Sequence, residues 1–121
     1  MNDKQTAIRH AELRQAASLD ALANDTKAAD LRMVIKIRES VIKYEIASET
    51  GEDMKPVYSN DVKRDAEFVR RSAESEKLRK YEAELSALEC NAATAKIDAQ
   101  FNADMIRVLV GFAEAEKQAV A

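Results

Sequence analysis

The chain has 121 residues, 19 basic and 22 acidic, a formal net charge of −3, two glycines, one proline, one cysteine, one histidine and no tryptophan. Ala, Glu, Lys, Arg and Leu make up 62 of the residues, the composition of long helices or coiled coils, and three breakers cannot punctuate a β or repeating α/β fold, which turns every ten residues or so. The near-balanced charge argues against a general nucleic-acid-binding surface and against an acidic tail.

In chain order, the first predicted helix runs from about residue 4 to 49. Residues 11–29 are rich in Ala, with Leu13, Leu19 and Leu22 as the only large apolar side chains. A break is offered at Asn24-Asp25-Thr26, where Asp25 can cap a new helix. Residues 31–46 differ. Val34, Ile37, Val41 and Tyr44 form one stripe at heptad spacing, and Leu31, Ile35, Ile42 and Ile46 form a second, rotated by about 100°. With Met33 they make an arc wider than one partner helix can cover, so this segment should touch at least two others.

The loop is expected at about 50–58, where Gly51 can take the left-handed conformation that closes a helix and Pro56 cannot continue one. Ser59, Asn60 and Asp61 then supply N-cap residues for a second helix over about 59–118. Its seam reads Leu78, Tyr81, Leu85, Leu88, Ala92 and Ala95, steps of three and four residues. The large side chains suggest that this stripe then drifts and continues as Ile97, Phe101, Met105, Val108, Phe112 and Ala115. Between Arg70 and Lys77 there is no large apolar residue.

A hairpin folded about residue 54 sets Val41 near Phe68, Leu31 near Leu78, Leu22 near Leu88 and Ile8 near Phe101. Residues beyond about 108 would then overhang the chain start and leave Val108, Leu109, Val110 and Phe112 wet, forgoing several kcal/mol at ~25 cal/mol per Å². The doubled stripe and the overhang both point to self-association, with a two-fold dimer as the expected form. The expected interface is Leu31, Ile35, Ile42, Ile46, Phe101, Met105, Val108, Leu109 and Phe112.

Chemistry is thinly supplied. His10 has no nucleophile at a recognisable spacing and reads as an exposed histidine near the chain start. One His and one Cys cannot make a zinc site, and no Glu-x-x-His pair announces a carboxylate di-metal site. No catalytic residue, metal or cofactor is therefore expected. Cys90 reads as an inert thiol; it has no intrachain disulfide partner and fits a reducing, cytoplasmic setting. No basic-then-apolar leader is visible and no stretch reaches the ~20 apolar residues of a membrane span. Gly111, inside a helix, suggests a close helix–helix contact.

Lys63, Arg64, Arg70, Arg71 and Lys77 are the candidate nucleic-acid contacts, on a basic face over 63–80. Glu67 and Glu74 interrupt that face at i+3 and i+4 spacing, which is how a solvated, ion-paired helix face is built.

With these residues in view, Lys55-Pro56-Val57-Tyr58-Ser59-Asn60, then Lys63-Arg64-Asp65-Ala66-Glu67, Arg70-Arg71, Leu78, Tyr81 and a Leu/Ala seam ending in Phe101 form a pattern. It resembles, over about residues 54–112, small helical proteins of tailed phages and prophages, tending to be encoded beside genes for recombination or single-strand annealing. That resemblance implies an accessory protein acting on or beside DNA-handling machinery and carries no catalytic residues.

The expectation is one all-α domain spanning residues 1–121. It is a long antiparallel helical hairpin that assembles into an oligomeric bundle and acts as a non-enzymatic interaction or scaffold protein. Its partners are further copies of itself and another protein; direct nucleic-acid binding by the 63–80 face is the alternative.

Overall fold

A computed structural model describes residues 2–120, with the side chain of residue 120 outside the description. Among the described residues there are three helices, α1 (Asp3–Ser48), α2 (Asp61–Glu74) and α3 (Glu76–Val120). The only β pairing among them is an isolated antiparallel bridge between Thr50 and Pro56. The chain is all-α, and α1 and α3 pack as an antiparallel helical hairpin.

Local chemistry sets the helix ends. Asn2 caps α1: its Oδ1 accepts from the Gln5 amide at 2.8 Å, and the Gln5 side chain reaches back to the Asn2 amide. Asn60 caps α2, with extended backbone and its Oδ1 accepting from the Lys63 amide at 2.9 Å. Asp25 starts no new helix. α1 runs unbroken through it, and its carboxylate reaches Lys96 on α3 at 3.0 Å.

The second predicted helix is in fact two. Ser75 has extended backbone (φ −74°, ψ 109°) and ends α2, while its Oγ accepts from the Leu78 amide and so caps α3. The absence of a large apolar residue from Arg70 to Lys77 was the sequence trace of this break.

The loop departs from expectation in one residue. Gly51 does not adopt positive φ; Met54 does, at 63°. A tight turn explains it: the Met54 amide donates to the Gly51 carbonyl, the Gly51 amide donates to the Lys55 carbonyl, and Val57 returns to Glu49. Asp53 Oδ1 accepts from the Lys55 amide and stabilises the reversal.

Packing divides the chain into two compact units. One is Ala28–Ala87. Its core is Ile35, Ile42, Ile46 and Leu78, with Leu31, Tyr58, Phe68, Tyr81 and Leu85 packed around it. Ile46 and Leu78 are each only 1% exposed. The Lys43 ammonium lies 4.8 Å over the Phe68 ring.

The other unit joins the first 27 residues to those from Leu88 onward. Its seam is built from small residues: Ala21, Ala92 and Ala95 are buried, with Ala17 and Ala99 half-buried. On α3 the heptad phase of Leu88, Ala92 and Ala95 is kept through Ala99, Asn102, Ile106 and Leu109. The expected drift to Ile97, Phe101, Val108 and Phe112 does not occur, and all four are exposed. Size misleads here, because alanine and asparagine hold the seam positions while the bulky side chains sit one step off it.

The pairing register also differs from a fold about residue 54. Leu31 packs against the cluster that holds Leu78, as expected, but Leu22 lies along a groove with Lys96, Ala99 and Ala103, and Ile8 lies with Leu109, Val110 and Ala113, further along α3 than expected. The connection between the paired helices is the whole of residues 49–75, with α2 inside it. Leu109 and Val110 therefore lie beside the start of α1, not beyond it.

Gly111 makes no close helix contact, since a Cβ added there meets nothing within 4 Å. Replacing it with alanine is therefore expected to stabilise α3 by about 1 kcal/mol, read as a higher urea midpoint with unchanged slope.

Candidate interaction surface

In the Ala28–Ala87 unit, α1 presents two apolar stripes and the unit covers one. Ile35, Ile42 and Ile46 are buried and Leu31 half-buried, all facing α2, α3 and the loop. The stripe one residue earlier, Val34, Ile37, Val41 and Tyr44, stays exposed together with Met33. Ile37 is 58% exposed and Tyr44 73%. Lys36 and Lys43 flank a shallow groove along these side chains. One aromatic and four aliphatic or thioether side chains in a row on one helix form a contiguous apolar face of the kind that marks contact surfaces.

The residues expected at an interface separate accordingly. Leu31, Ile35, Ile42 and Ile46 serve the unit's own core, because the 3–4 spacing of the helix turns this stripe toward Leu78 and Phe68. They are not available to a partner, and the neighbouring stripe takes that place. In the other unit Met105 and Leu109 are half-buried, and Phe101, Val108 and Phe112 are exposed.

The three arginines Arg64, Arg70 and Arg71 of the basic face over 63–80 are ion-paired. Arg64 pairs with Asp61 at 3.3 Å and donates to the Tyr58 carbonyl at 3.2 Å. Arg70 clamps Glu67 and reaches Glu74 at 3.0 Å. Arg71 donates to Glu67 at 2.7 Å and to Glu49 at 2.5 Å, and its guanidinium stacks 5.7 Å from the centre of the Tyr58 ring.

Glu67 is the hub, only 9% exposed. Hydrogen bonds from Arg70 and then Arg71 hold its carboxyl at about 2, below the ordinary 4.5, against the opposing effect of burial. The same contact raises both guanidinium groups above their ordinary value, first through the Glu67 hydrogen bond. The i+3 and i+4 pairs were legible in the sequence. Glu49, 22 residues from Arg71, was not, and it makes the cluster a tie between the end of α1 and α2. Lys63 and Lys77 have no ion pair among the described residues.

His10 is not the exposed side chain expected. It is half-buried, its Nδ1 lies 2.7 Å from Asn102 Oδ1, and its ring meets Phe101 edge-on at 6.4 Å. Asn102 is 7% exposed and donates its Nδ2 to the Asp98 carbonyl at 2.8 Å. That bond orients the amide with Oδ1 toward the imidazole, so Nδ1 is the protonated ring nitrogen.

Cys90 is exposed, and among the described residues no three His, Cys, Asp or Glu side chains converge where they could hold a metal. No helix among them is long and apolar enough to cross a membrane. Comparison with protein-family models, with curated proteins and with solved structures finds no match to this chain.

Proposed function

We propose that this chain is a non-enzymatic, self-associating helical interaction or scaffold protein. The single observation that supports this reading is the uncovered stripe of Met33, Val34, Ile37, Val41 and Tyr44. At ~25 cal/mol per Å², covering side chains of this size releases several kcal/mol, enough to drive association. The occupant is a second copy, through a two-fold arrangement in which Ile37 meets Val41 of the other copy; one exposed helix face used twice is the simplest closed assembly. A further protein partner would use the same assembly. The resemblance to phage accessory proteins supports work beside recombination or replication machinery, in the cytoplasm.

Replacing Ile37 and Val41 by glutamate tests this. Both side chains are exposed, so the variant keeps its helicity while sedimentation equilibrium shifts from dimer to monomer. A parent chain that is strictly monomeric at micromolar concentration removes the reading.

Direct nucleic-acid binding is the less favoured reading, because Arg64, Arg70 and Arg71 are already engaged with carboxylates. A DNA shift at low salt that Arg70→Glu with Arg71→Glu abolishes, while helicity is kept, would reverse the preference.

A further inference from the structure

We infer that the His10–Asn102 pair selects the partner and the register of the first half of α1, as a single polar layer beside a run of alanine layers. The seam around it is Ala17, Ala21, Ala92, Ala95 and Ala99. The methyl groups at these alanine layers pack almost equally well if one helix slides by a heptad, or if a helix of a second copy takes the place of α3. Apolar burial alone therefore distinguishes these arrangements poorly.

Two polar side chains from opposite helices change that. In the observed register His10 Nδ1 donates to Asn102 Oδ1, and Asn102 Nδ2 is used by the Asp98 carbonyl, so the buried amide is satisfied at both ends. Slide α3 one heptad in one direction and His10 faces Ala95 while Asn102 faces Asp3. In the other direction His10 faces Leu109 and Asn102 faces Ala17. The alanines and Leu109 offer no hydrogen bond and the Asp3 carboxylate can only accept, so His10 Nδ1 and Asn102 Oδ1 lose their partner in both registers, and a buried polar group left unpaired is penalised far more than a made bond is rewarded. A lone polar layer of this kind fixes register and partner choice at some expense of stability. The other polar contact of the seam, Asp25 with Lys96, favours the same register but is about half exposed on both sides, where water replaces it readily.

This inference concerns which helices meet inside the unit and does not depend on what covers the stripe of the other unit. Its test uses the full chain with Cys90→Ala and spin labels attached at Gln15→Cys and Asn91→Cys, both exposed positions. The labelled chain is diluted into unlabelled chain, so that only distances within one molecule are read. The parent gives one narrow distance. The His10→Leu, Asn102→Leu variant melts at a higher temperature yet gives additional distance populations, as a slide of about 10 Å along the helix axis, one heptad of rise, changes the separation of the labels. The swap His10→Asn with Asn102→His keeps the polar pair and the single distance. One unshifted, narrow distance in the double leucine variant overturns the inference. So does failure of that variant to fold, because the pair would then supply stability and not choice. Monomer or dimer behaviour of the parent leaves this readout untouched, so failure here is separable from failure of the self-association reading.

Discussion

Replacement of Ile46 by alanine is expected to lower stability by about 3 kcal/mol, a fall in melting temperature on the order of 10 °C for a chain of this size. Ile46 stands on the last turns of α1, where it closes the core formed with Ile35, Ile42 and Leu78. At 1% exposure it loses its entire apolar surface to water on unfolding. Truncation both removes three carbons of burial and leaves a cavity that neighbours on three elements cannot fill together.

Leu78→Ala should cost a similar amount for the same reason, and the double variant should lose less than the two single losses combined, since one enlarged cavity relaxes more readily than two separate ones. Val34→Ala, on the exposed stripe of the same helix, serves as the control, with a change within ~0.5 kcal/mol when measured on monomeric protein. Urea unfolding monitored by circular dichroism checks the series. Equal losses at Ile46 and Val34 would mean that the two stripes do not divide core from surface as described.

The second large effect belongs to Glu67. In the unfolded chain its carboxyl takes up a proton near 4.5, in the folded chain near 2. Between those values the unfolded state binds more protons, so acid favours unfolding. The contribution of the cluster is complete above about pH 4.5 and is lost as pH falls toward 2.

Glu67→Gln should therefore lower the melting temperature at neutral pH, because the amide carries no charge to answer two guanidinium groups and puts an NH2 donor against the Arg70 Nε–H that Oε2 accepts from. It should also flatten the decline between pH 4.5 and pH 2, the carboxyl that titrates there being gone. Glu74→Gln, at an exposed carboxylate bonded only to Arg70, should change little. Thermal melts from pH 6 to pH 2.5 decide the matter: identical acid slopes for parent and Glu67→Gln would show that this carboxylate is not the one coupled to folding.

The same residues mark how far the amino-acid order alone can be read. Alanine-rich, nearly breaker-free composition determined an all-α chain, because helix propensity and the 3–4 spacing of apolar residues are properties of neighbours in sequence. The cap at Asn60, the reversal around Gly51 to Pro56, the seam from Leu78 to Ala95 and the excess of apolar surface on residues 31–46 were all local in this sense. So were the carboxylates at Glu67 and Glu74 that answer Arg70.

What lay beyond reach was decided by contacts between distant residues. Which of two equally apolar stripes on α1 would be buried depended on where Phe68 and Leu78 came to rest, and these in turn on a one-residue break at Ser75 that separates α2 from α3. The true seam past Ala95 passes through Asn102, where the local Asp98 carbonyl satisfies one end of the buried amide and a histidine 92 residues away the other. Periodicity reports that a helix has faces; the energy that assigns one face to the interior is a pairwise quantity, and it exists only once both partners are in place.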